Sequence, residues 1–302
     1  RQSQRIPGGS SSGAAISVTD KMAFAGLGTD TGGSCRIPAA MCGITGYKPT
    51  ARRVPLTGVY PLSSSLDSIG SLASSVSCCA AMDAIISADK RMITTHSIPL
   101  AGLRVASLSN YVVEGMDSHV AMAYQRMVAK LNAAGAIVTD LSLPELDTLP
   151  ALNSKGGFVA AEAFALHRVL LAERVAEYDP RVSSRIFKGQ DQSAADYIDL
   201  IKARRDKIST ANARTSIFDV VIFPTVPIIA PKISELEDEN EYGRLNLLAL
   251  RNPTVANFLD RCAVSIPINA LGEAPVGLNL MGETNDDARL LAIAKSMEEL
   301  IS

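Results

Sequence analysis

Residues 26–36 read GLGTDTGGSCR, with four glycines, two threonines, one aspartate and one serine and no aliphatic run. Glycine costs backbone entropy, so such a cluster marks a place where something must approach the main chain closely. Upstream, the small residues of SSGAAISVTD predict a short helix over 11–20, and MAFAGLG from Met22 reads as a buried strand running into the turn. Downstream, SCRIPAAMCG predicts a helix of about two turns over 34–43, closed by Gly43. Strand, glycine turn and helix follow in that order, and the question is what the turn is built to meet.

A phosphate cradle fits poorly. No Gly-Lys pair followed by Ser or Thr occurs, and the third glycine of GLGTDTG comes one place too late for GxGxxG. A turn made tight for packing alone explains the glycines but not the serine that follows them. Ser34 stands at the predicted helix start directly after Gly32 and Gly33. The N–H groups of Thr31, Gly32, Gly33 and Ser34 can therefore converge on one point at the positive end of a helix dipole, as in an oxyanion hole. A serine hydroxyl needs a base before it attacks anything, and no histidine lies near it in sequence. Twenty-four residues before Ser34, PGGSSSG supplies a second cluster with Ser10, Ser11 and Ser12 in a row. Alone, that segment reads as a flexible turn.

Strands recur along the rest of the chain in GLRVASL from Gly102, AIVTDLSLP, FDVVIFPTVP, CAVSIPI and VGLNLMG. Helical spacing appears in SHVAMAYQRMVAKLNAAG, over most of 151–214, and in DARLLAIAKSMEELIS. The acidic ELEDENEYGR from Glu235 is expected to be a solvated loop. With 302 residues, 47% of them apolar, the chain can bury a large core. The expectation is a single α/β domain over 1–302, with a large central mixed β-sheet covered by helices on both faces.

The near-balanced charge of -2, with no basic run, argues against a nucleic-acid partner. DVVIFPTVPIIA is too short and too proline-broken to cross a membrane. Five cysteines without CxxC spacing, and three histidines without HExxH, suggest neither a disulfide framework nor a metal site. Reduced thiols fit a cytoplasmic protein.

The two serine clusters together resemble the amidase signature family of serine hydrolases, whose GGSS is followed, 24 residues after its first serine, by the serine of GTDTGGS. Both pieces stand here, at 8–11 and 28–34, and RIPAAMCGITGYKPT extends the match. LSSSLDSIGSLASSV, the GLRVA strand, FDVVIFPTVP and APVGLNLMG carry it over nearly the whole chain. The resemblance implies a Ser-Ser-Lys triad in which Ser34 is the acyl-forming nucleophile and Ser10 the bridging serine, placed after a cis peptide bond. Ser11 would support the proton network. Asp30 and Arg36 would hold the nucleophile loop by polar contacts, the alternative being a surface pair. The family's catalytic lysine lies several dozen residues before GGSS, and so is expected upstream of Arg1; Lys21 and Lys48 match no family lysine. Ser12 stands where the family usually has glycine.

The same resemblance implies an amidase that cleaves the C–N bond of a small-molecule carboxamide, with no cofactor, and with a homodimer as an open quaternary state. One alternative is the glutaminase subunit of a tRNA-dependent amidotransferase, although Ile37 stands where that group usually has glutamine. Another is an enzyme similar to allophanate hydrolase, suggested by NFLDRCAVSIPI. A third, outside enzymology, is an inactive fragment or interaction module that lacks its lysine.

Overall fold

The computed structural model describes residues 4–89 and 95–301. Among the described residues, eight strands form one sheet: β1 (Ala25–Thr29), β2 (Thr45–Lys48), β3 (Ile69–Ala73), β4 (Arg104–Leu108), β5 (Ile137–Leu141), β6 (Val220–Pro224), β7 (Ala263–Pro267) and β8 (Gly277–Met281). Their order is β1-β3-β2-β7-β8-β6-β4-β5. Pairing is antiparallel from β1 to β6. It turns parallel through β4 and β5.

The helices, in chain order, are α1 (Ser12–Thr19), α2 (Arg36–Cys42), α3 (Val76–Ile86), α4 (Ser118–Ala133), α5 (Pro144–Asp147), α6 (Leu149–Leu152), α7 (Gly157–Arg174), α8 (Pro180–Phe187), α9 (Ala194–Thr215), α10 (Glu239–Phe258) and α11 (Asp287–Ile301). Side chains alternate across the sheet with period two, and this alternation sorts them into two layers. Val220 and Ile222 of β6 pack with Val264, Leu278 and Leu280 under α3, α4 and α11. Val221 and Phe223 point the other way, with Ala263 and Met281, and meet Phe158, Leu200, Val255 and Phe258 from α7, α9 and α10. On this second face α1 and α2 carry the cover on to β3, through Ala15, Val18, Ala39 and Leu72. The mixed sheet with helices on both faces is the α/β architecture that the sequence predicts.

Two local expectations need correction, and one strand is found where none was predicted. The strand entering the glycine turn is not buried: β1 is an edge strand, with Leu27 55% exposed and the preceding Phe24 96% exposed. The stretch IGSLA forms the interior strand β3, although serines surround it. The acidic segment from Glu235 is not a loop throughout, because α10 begins within it. Asp238 caps that helix by accepting the Glu241 N–H at 2.8 Å. Glu239 and Glu241 occupy its first turn, where negative charge favours the positive end of the helix dipole.

Candidate active site

The turn leaving β1 is organised around one carboxylate. Asp30 is fully buried. It accepts the N–H of Gly33 at 2.8 Å and of Cys35 at 3.2 Å. Arg36 donates to it from Nε at 3.1 Å and from Nη2 at 3.0 Å, and Asn257 Nδ2 donates at 2.9 Å. Burial alone would raise its pKa, but the Arg36 charge and hydrogen bonds, with Lys48 and Asn257 behind them, hold it at about 2. Arg36, also fully buried, spends further donors on Asn279 Oδ1 at 3.1 Å and Asn257 Oδ1 at 2.7 Å. A buried ion pair recovers its desolvation cost only when its remaining donors and acceptors are matched. Here the matching comes from β8 and α10, so Asp30 and Arg36 form an internal brace and not a surface pair.

The glycines of the turn make room for the protein itself. A Cβ on Gly28 would lie 2.7 Å from Ser11 Oγ and 2.9 Å from Cys35 Sγ. One on Gly33, whose φ is +115°, would lie 2.4 Å from Cβ of Pro253. Pro253 sits inside α10, where a proline removes a helical hydrogen bond; its ring is seated against the turn.

The second cluster lies against the first. The Ser11 N–H donates to the Ser34 carbonyl at 3.2 Å. Ser11 Oγ donates to the Thr29 carbonyl at 3.3 Å, and Ser12 Oγ to the Ser10 carbonyl at 3.5 Å. The Gly9–Ser10 peptide is cis. Ser10 is exposed and Ser34 half-buried, two residues before α2 begins. Of the four N–H groups expected to converge on an oxyanion, that of Gly33 is committed to Asp30. The Gly33 N–H is therefore not free for an oxyanion.

Other candidate bases are engaged elsewhere. Lys48 is fully buried and donates to the carbonyls of Pro49 at 2.9 Å and Arg261 at 2.8 Å. Burial pulls its pKa down to about 8, against the opposing pull of Asp30. Lys21 is exposed. His119 Nε2 pairs with the Ala274 carbonyl at 3.1 Å, and His167 Nδ1 with the Tyr178 hydroxyl at 2.7 Å. Among the described residues, no three His, Cys, Asp or Glu side chains gather as a metal centre would. Of the site residues that sequence reasoning missed, Asn257, Pro253 and Thr254 come from α10, Asn279 from β8 and Asp67 from the segment before β3; Thr254 donates to the Gly32 carbonyl at 3.3 Å.

The chain belongs to the Amidase family, whose model matches residues 1–291. It is 34% identical over 300 residues to a 2-amino-5-chloromuconic acid deaminase of Comamonas testosteroni, covering 98% of this chain and 65% of that protein. It is 31% identical over 336 residues to one subunit of the glutamyl-tRNA(Gln) amidotransferase of Acidobacterium capsulatum, covering 99% and 70% of the two chains. A crystal structure of an amidase superposes with a TM-score of 0.87 at 28% identity, over 99% of this chain and 68% of that one. The chain thus spans about two thirds of the length of these relatives.

Proposed function

We propose that the full-length protein is an amidase that hydrolyses a small-molecule carboxamide through an acyl-enzyme on Ser34. The observation that carries this reading is the Ser11 N–H bond to the Ser34 carbonyl, which joins two serine clusters 24 residues apart into one site. Ser34 Oγ attacks the carbonyl carbon while its proton leaves through Ser10. The oxyanion rests on the N–H groups of Thr31, Gly32 and Ser34, and donors of this kind contribute on the order of 3 kcal/mol each to the transition state. Collapse of the intermediate breaks the C–N bond as Ser10 returns a proton to the nitrogen, and water then cleaves the ester to a carboxylate. The base behind Ser10 is, by the family resemblance, a lysine outside residues 1–302. Ser11 supports the geometry by tying its own backbone and side chain to the carbonyls on either side of the loop. The five unpaired thiols support a reducing, cytoplasmic setting.

Two substitutions test the division of roles. In the full-length protein, Ser34→Ala should lower kcat for amides at least about 1,000-fold, the scale of losing a catalytic nucleophile. Ser10→Ala should depress amide turnover severely but spare activated esters, whose leaving groups need little protonation. Equal losses for esters and amides would remove Ser10 as the proton donor, and an active Ser34→Ala would remove the mechanism.

A further inference from the structure

Thr31 has no side-chain role in the chemistry above, yet its hydroxyl is among the firmest contacts of the loop. Thr31 Oγ1 donates to Asp67 Oδ1 at 2.6 Å, and both residues are buried. Asp67 Oδ2 accepts the N–H groups of Leu62 at 2.9 Å and Ser63 at 3.0 Å. Three donors thus converge on this side chain. The neighbouring Ser68 holds the preceding residue on both sides: its carbonyl accepts the Asp30 N–H at 2.8 Å, and its Oγ donates to the Asp30 carbonyl at 3.0 Å. Asp30 is thus fixed through both backbone groups and Thr31 through its hydroxyl. The N–H groups that follow along the chain, of Thr31 and Gly32, belong to the expected oxyanion set.

The far end of the tether is itself braced. Glu162 on α7 accepts the hydroxyls of Ser63 and Ser65, the Ser65 N–H at 3.1 Å and the Tyr197 hydroxyl at 2.6 Å. Arg204 on α9 donates to the Ser65 carbonyl at 3.3 Å and to the Phe258 carbonyl, at the end of α10, at 2.8 Å. A pull on Thr31 is therefore resisted by three helices and not by a loose loop.

We propose that Asp67 is a positioning residue for this site: by holding the Thr31 hydroxyl, it aims the Thr31 and Gly32 N–H groups at the oxygen of the tetrahedral intermediate. The inference rests on Ser34 as the nucleophile. It requires that loss of the tether harm the transition state more than the bound substrate.

The test uses the full-length protein and Thr31→Val, which keeps the shape and removes the donor. kcat should fall about 10- to 100-fold, short of the ~100- to 1,000-fold cost of losing an oxyanion donor outright. KM should stay within about threefold, and the Ki of a trifluoromethyl ketone analogue of the substrate should rise by the factor that kcat/KM loses. Thr31→Ser, which keeps the hydroxyl, should recover most of the loss. Asp67→Asn should show the same pattern, and the double variant should be little worse than either single one, because both remove one interaction. Should Asp67→Asn fail to fold, the Thr31 pair still decides the matter. Parental kcat in Thr31→Val, or a loss confined to KM or melting temperature with the ketone Ki unchanged, overturns the inference. If Ser34→Ala is inactive while Thr31→Val turns over normally, only Asp67 loses its role; if Ser34→Ala is active, the underlying mechanism fails.

Discussion

The two glycine-serine clusters look alike as sequence and differ in how tightly their neighbours enclose them. In residues 26–36, the would-be Cβ atoms of Gly26, Gly28 and Gly33 run into Ala14, Ser11 and Pro253 at 2.8, 2.7 and 2.4 Å. In the earlier cluster, Gly9 and Gly13 have nothing within 4 Å of a Cβ, and only Gly8, at a φ of +77°, is crowded, with Met41, Pro38 and Ile37 of α2 at 3.0, 3.1 and 3.2 Å. The loop bearing Ser34 is braced by a buried ion pair, whereas Ser10 itself is exposed in a half-buried segment. Glycine content alone therefore does not distinguish a loop compressed by its neighbours from one that is merely open. What separates them is the set of atoms that arrive from α1 and α10.

The largest test of this contrast removes the brace. Asp30→Ala leaves Arg36 buried with only amide partners, and should lower stability by about 3–5 kcal/mol in urea unfolding. A cost below about 1 kcal/mol would mean that the loop does not depend on the pair. The same carboxylate predicts a pH signature. Its pKa is lowered from 3.8 to about 2 on folding, so its contribution is complete above the unfolded value and is lost as pH falls through the folded one. Between about pH 5 and pH 2 the protein should lose about 2 kcal/mol that Asp30→Asn does not lose. Parallel pH profiles for the two would contradict this.

Smaller effects should separate the glycines. Gly33→Ala meets both a positive φ of +115° and the Pro253 ring, and should cost about 1–3 kcal/mol by overpacking. Gly13→Ala, within α1 and facing open space, should stabilise by a few tenths to about 1 kcal/mol. Thermal unfolding of both variants checks the pair, and equal shifts would erase the distinction.

The sequence exposes the loop itself, because Asp30, Thr31, Ser34 and Arg36 lie within seven residues and their spacing is local. It conceals the partners that hold the loop. Asn257 reaches Asp30 across 227 positions and Asp67 reaches Thr31 across 36, and neither distance leaves a trace in periodicity. α10 is hidden for a second reason: it opens on acidic residues and carries Pro253 in its interior, both of which read locally as loop. β1 reads as buried because Leu27 and Phe24 look like core residues, and only the sheet order shows that β1 is an edge. β3 escapes notice because small residues and flanking serines give an interior strand little hydrophobic contrast.

Everything in this site turns on Ser34 being the nucleophile. Its most direct test is peptide mass spectrometry of the full-length protein after treatment with a fluorophosphonate, in a preparation first shown to hydrolyse an amide. A single phosphonyl adduct on Ser34, forming as activity is lost and absent from Ser34→Ala, is the result the site predicts. An adduct on a different serine that tracks the loss of activity, or complete inactivation with Ser34 unmodified, would contradict it.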